Sequence, residues 1–136
     1  MDGENDILKA FSEETARQSK KLSSVIPDKN YRLFYATMSF MAQRREIFAL
    51  ICSESSNQDV LSRMAEIIFL RLDIMWLPKG TPNPAPDSQR AKMLVRVMAE
   101  ILREWVAETN CNVRKADRFI RRLLRAVADA AANRLP

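Results

Sequence analysis

The chain of 136 residues contains no histidine. That removes the commonest general base, and no Ser-His-Asp or Cys-His arrangement can form within the chain. It also removes the Glu-x-x-His motif of di-iron bundles. Cysteine is scarce. Cys52 and Cys111 form no Cys-x-x-Cys pair, so neither a zinc site nor any other cofactor is expected. Cys52 falls in an apolar helical run and reads as core. Only Gly3 and Gly80 represent glycine. Hairpin turns, strand bulges and phosphate loops lean on glycine, which argues against β-rich and P-loop folds. Neither GxxxxGK[ST] nor GxGxxG occurs.

Long apolar runs are missing as well. The longest charge-free stretch in the apolar regions spans residues 33–43. This falls well short of the ~18–20 residues that a membrane span needs. The N-terminus, MDGENDILKAF, is acidic and polar, unlike a secretory signal, and Asp2 in place of glycine argues against myristoylation. The expectation is a cytoplasmic protein with reduced thiols.

What the chain has in abundance is Ala, Leu, Met, Arg, Lys and Glu, all strong helix formers. It is 47% hydrophobic and 29% charged, the balance of a folded domain. At 136 residues, one helical domain over 1–136 is expected. Five helical segments follow from the spacing. The first covers about 5–24, with Leu8, Phe11, Thr15, Leu22 and Val25 on a narrow stripe diluted by Gln18 and Lys21. Residues 1–26 are therefore expected as a peripheral element, ended by Pro27. The second covers 31–53, capped by Asp28 or Asn30 and interrupted by Arg44 and Arg45. The third covers 58–77, with Val60, Met64, Ile67, Ile68, Leu72, Met75 and Trp76 facing inward.

Four of the six prolines lie in residues 78–87, which predicts an extended connector between the third and fourth helices. The fourth helix then runs to about 108 on Leu94, Val97, Met98, Ile101, Leu102 and Trp105. A short turn, Thr109-Asn110-Cys111-Asn112, leads to the fifth, which ends near 135. So short a turn favours an antiparallel pair. The fold class expected is all-α, a compact bundle of four to five helices.

Charge is unevenly spread. Residues 1–78 carry ten Lys/Arg and eleven Asp/Glu, net −1, while 79–136 carry twelve and six, net +6, giving the overall +5. Most of this excess lies on the last helix. Arg114, Arg118, Arg121, Arg122 and Arg125 fall within about 100° of one another on a helical wheel. Lys115 extends the patch, while Val113, Ala116, Phe119, Ile120, Leu123, Leu124 and Val127 gather opposite. Like charges one turn apart repel by a few tenths of a kcal/mol, and Asp117 and Asp129 relieve only part of this. Such a face is suited to an anionic partner, since each guanidinium can grip a phosphate with two bonds.

The reading is a non-enzymatic accessory or regulatory protein that binds nucleic-acid backbone, DNA or RNA, through Arg114, Lys115, Arg118, Arg121, Arg122 and Arg125. An acidic protein surface or anionic lipid would meet the same cations. A second candidate surface is Phe34, Met38 and Met41 on the second helix, an adaptable apolar face for a partner protein. The width of that arc also points to self-association. Surface carboxylates such as Glu13, Glu14, Glu100 and Glu104 are expected to be solvated or paired with Lys9 or Arg103 rather than catalytic.

Overall fold

The computed structural model describes residues 2–53, 58–73 and 89–132. These form six α-helices and no strand among the described residues. Helix α1 is Asp2–Lys21, followed by a 3₁₀ turn, Leu22–Ser24. Then come α2, Lys29–Ala42; α3, Arg45–Ser53; and α4, Gln58–Arg71. Helix α5 is Gln89–Thr109, and a second 3₁₀ turn, Val113–Lys115, leads into α6, Ala116–Ala131. The compact helical bundle expected from the spacing is what forms. The connector expected at 78–87, with Met75 and Trp76 before it, lies outside the described residues.

Helices α4 and α5 are central. On α4, Val60, Leu61, Met64, Ala65, Ile68 and Phe69 are all buried, an arc too wide for a single neighbour. On α5, Ala91, Leu94, Met98, Leu102 and Trp105 are sealed from solvent. Helix α5 packs on α4, α6 and α3, and α2 packs on α1 and α6. Helix α1 lies on α2 and α4 of its own chain. Its stripe is anchored by fully buried Phe11 and Thr15, while Val25 stands exposed beyond the helix. Phe11, Phe40 and Phe48 form an edge-to-face series, with centroids 5.3 and 6.2 Å apart, joining α1, α2 and α3.

The single helix expected over 31–53 is two. Gln43 and Arg44 form a turn, with Arg44 N–H donating to Met41 O three residues back at 3.0 Å. The Arg44 guanidinium lies 3.9 Å from the Phe40 ring centre and reaches Glu14 on α1 at 2.7 Å. A contact with the last turns of α2 and an ion pair to α1 thus hold the break. Helix α4 also stops earlier than its apolar spacing implies. Asp73 N–H donates to Asn30 Oδ1 at 2.8 Å, and Asn30 Nδ2 donates back to Asp73 O at 3.0 Å. This reciprocal pair draws the chain from helical geometry and fixes it to the first turn of α2.

The face of α2 offered for a partner is corrected. Phe34, Met38 and Met41 have zero exposure and belong to the core. A partner cannot reach them, because α1, α4 and α6 pack on α2 from within the chain. Among the described residues, the large apolar side chains left exposed are Val25, Ile47, Leu50 and Leu70.

Candidate nucleic-acid interface

The last helix is positioned by the turn before it. Asn110 and Cys111 adopt positive φ of 54° and 59°, which reverses the chain after α5. Asparagine enters this region more readily than most residues, and burial of Cys111 holds its own conformation in place. The turn is closed by side chains. Thr109 Oγ1 donates to Trp105 O at 2.7 Å and accepts from Asn112 N–H at 3.1 Å. Trp105 Nε1 donates to Asn112 O at 3.2 Å. Asn112 Oδ1 then accepts from Arg114 N–H at 3.0 Å, capping the 3₁₀ turn that starts α6.

Helix α6 divides as its sequence pattern implies. Ala116, Phe119, Ile120, Leu123, Ala126, Val127 and Ala130 are buried. Arg114, Lys115, Arg118, Arg121, Arg122 and Arg125 are all exposed. The outer face is less free than its sequence suggests, because carboxylates from α5 and from α6 itself meet three of these cations. Arg122 Nη2 lies 2.5 Å from Glu104 Oε2, and Arg118 Nη2 lies 3.7 Å from Glu108 Oε1. Four residues forward along α5 correspond to four residues back along α6, so the pair is antiparallel. Arg121 Nε donates to Asp117 Oδ2 at 2.8 Å.

Asp117 is the best-held of these carboxylates. Its other oxygen accepts from the Tyr31 hydroxyl at 2.6 Å, tying α6 to α2. The Tyr31 hydrogen bond, and then the Arg121 bond, hold Asp117 below its ordinary range. In return, hydrogen bonding to Asp117 and partial burial push Tyr31 up to about 12.

The structure therefore sorts the six cations. Among the described residues, Arg114, Lys115 and Arg125 have no carboxylate within ion-pair distance. Arg118 is 72% exposed and its carboxylate is too far for a hydrogen bond. Arg121 and Arg122 are directly bonded. A surface cleft of about 440 Å³ is lined by Glu108, Thr109, Arg114, Lys115 and Arg118, three cations against one carboxylate. Glu104, Glu108 and Tyr31 are the participants that spacing did not disclose. Glu104 pairs across helices rather than with Arg103, and Glu14 pairs with Arg44 rather than with Lys9.

Fold and face together define an all-α bundle with a cationic, fully amphipathic terminal helix. No protein-family model, no curated protein and no solved structure matches the chain. Among the described residues, no helix is long and apolar enough to cross a membrane, and no cluster of three or more His, Cys, Asp or Glu side chains could hold a metal.

Proposed function

We propose that this protein is a non-enzymatic accessory or regulatory factor that binds the phosphate backbone of nucleic acid along the outer face of α6. The observation that carries the reading is the exposed cationic row from Arg114 to Arg125, with Arg114, Lys115 and Arg118 gathered around one cleft. Solvent-exposed ion pairs contribute only ~0.2–1 kcal/mol each. Phosphates can therefore displace Glu108 and Glu104 from their arginines at little cost. Buried aromatic side chains on α5 and α6, Trp105 and Phe119, leave no platform for base stacking there. Binding thus engages backbone charge rather than base sequence.

The test is fluorescence anisotropy of labelled DNA and RNA, duplex and single-stranded, at about 50 and 200 mM salt. A variant with Arg114, Arg118, Arg121 and Arg125 changed to alanine is compared after its helicity is confirmed. The expected result is binding that weakens steeply with salt and is lost in the variant. Absence of binding at the lower salt overturns the proposal and shifts the search to an acidic protein partner for the same face.

A further inference from the structure

A second cationic site lies on the other side of α2, away from α6. Arg71, the last residue of α4, is only partly accessible, and burial lowers its pKa. Its Nη1 donates to Thr15 Oγ1 at 3.0 Å. Its Nη2 donates to Ser12 O at 2.8 Å and Ser12 Oγ at 2.7 Å. All three acceptors are neutral. Among the described residues no carboxylate lies within ion-pair distance of Arg71. A partly desolvated guanidinium facing only neutral acceptors retains an uncompensated charge. Three of its five N–H groups are used, which leaves two donors for another group.

These donors belong to a side chain that lines a cleft of about 240 Å³ together with Thr15, Ala16, Ser19, Lys29 and Leu33. Lys29 brings a second cation, also without a carboxylate partner among the described residues. The Ser19 hydroxyl has no hydrogen-bond partner among the described residues. Ala16 and Leu33 supply an apolar wall. Two cations and a free hydroxyl beside a small apolar surface match a dianionic head on a short carbon skeleton. The cleft, at about 240 Å³, lies below the ~300–1,000 Å³ of pockets for drug-sized molecules, which suits a small ligand.

We propose that the cleft between α1, the start of α2 and the end of α4 binds a small phosphomonoester. Arg71 and Lys29 hold the phosphate, Ser19 donates to it, and the carbon skeleton rests on Ala16 and Leu33. The site does not depend on the nucleic-acid reading, since no residue of α6 lines it.

The experiment is a two-dimensional NMR titration of the full chain with inorganic phosphate and, separately, glycerol 3-phosphate, with sodium chloride holding ionic strength constant. Saturable shifts are expected at Ser12, Thr15, Ser19, Lys29 and the Arg71 side chain, with glycerol 3-phosphate binding tighter than phosphate. Losing a charge-assisted bond weakens binding by about tenfold or more, the effect expected for Lys29→Ala. Because Arg71 also ties α4 to α1, Arg71→Gln is read only if it stays folded, and Lys29→Ala with Ser19→Ala carries the test otherwise. Removing Arg114, Arg118 and Arg125 leaves these shifts unchanged, which separates this site from the α6 face. Shifts confined to α6, or wild-type affinity in Lys29→Ala with Ser19→Ala, overturn the proposal. Equal affinity for phosphate and the ester overturns its assignment to a phosphomonoester.

Discussion

Tyr31, Asp117 and Arg121 form the most specific polar contact between the cationic helix and the rest of the bundle. The phenol donates to a carboxylate that also accepts from a guanidinium on its own helix. The consequence is measurable by pH. Tyr31 rises from an ordinary 10.0 to about 12 in the folded chain. Its raised pKa means the folded state favours the protonated phenol. The associated stability is fully present below about pH 10 and is lost as pH rises toward 12. Asp117 has the opposite sign. Its pKa is depressed, so its contribution is present above the ordinary carboxylate range and is lost as pH falls through its folded value. Titration of tyrosine absorbance is expected to show one phenol near 12 in the wild type. In Asp117→Asn that phenol moves back toward 10.0. An unchanged midpoint in the variant contradicts the geometry.

At the scale of the element, α6 is where sequence and structure agree best. A period of 3.6 sorted its apolar residues from its arginines, and both sets occupy the predicted sides. Periodicity is a property of one helix, and what it cannot carry is the register between two. Glu104 reads from spacing as solvated or paired with Arg103, and only the antiparallel packing sets Glu104 and Glu108 opposite Arg122 and Arg118. The same limit applies to Phe34, Met38 and Met41, whose spacing is more often that of a core but also fits a groove, and which the packing buries. The α2–α3 break could be suspected from Arg44, but its cause is a contact with Glu14, thirty residues away. Arg71 carried no local signal, since its partners Ser12 and Thr15 lie on α1.

The pairing of α5 with α6 makes a prediction of its own. Replacing Glu104 and Glu108 with glutamine frees Arg122 and Arg118 and removes two negative charges from the binding face. Affinity for duplex DNA in the anisotropy assay is expected to rise severalfold. The thermal midpoint is expected to change little, because each exposed pair is worth ~0.2–1 kcal/mol. A variant that binds more weakly than wild type would mean that the carboxylates organise the site instead of competing for it.

Seen whole, the molecule places its charge asymmetrically. The net −1 of residues 1–78 and the +6 of residues 79–136 put the positive excess in the part of the sequence that contains α6. Such a field steers an anionic polymer toward one side and speeds its capture at low ionic strength. Six cations set against Glu104, Glu108, Asp117 and Asp129 leave a surplus of two along α6. That surplus fits moderate affinity and sequence-independent contact. No residue of α6 lines the cleft at Arg71. On the two proposals made above, the bundle would hold two anionic ligands at separate places.

The most direct test of the central claim is the dependence of duplex-DNA affinity on salt. The logarithm of the association constant falls with the logarithm of salt at about 0.9 per phosphate neutralised. With four to six contacts along α6, the predicted slope is about −4 to −5. Arg114→Ala and Arg125→Ala should each make it shallower by about one. A slope near zero, or one that neither variant alters, would contradict the assignment of α6 as a nucleic-acid-binding surface.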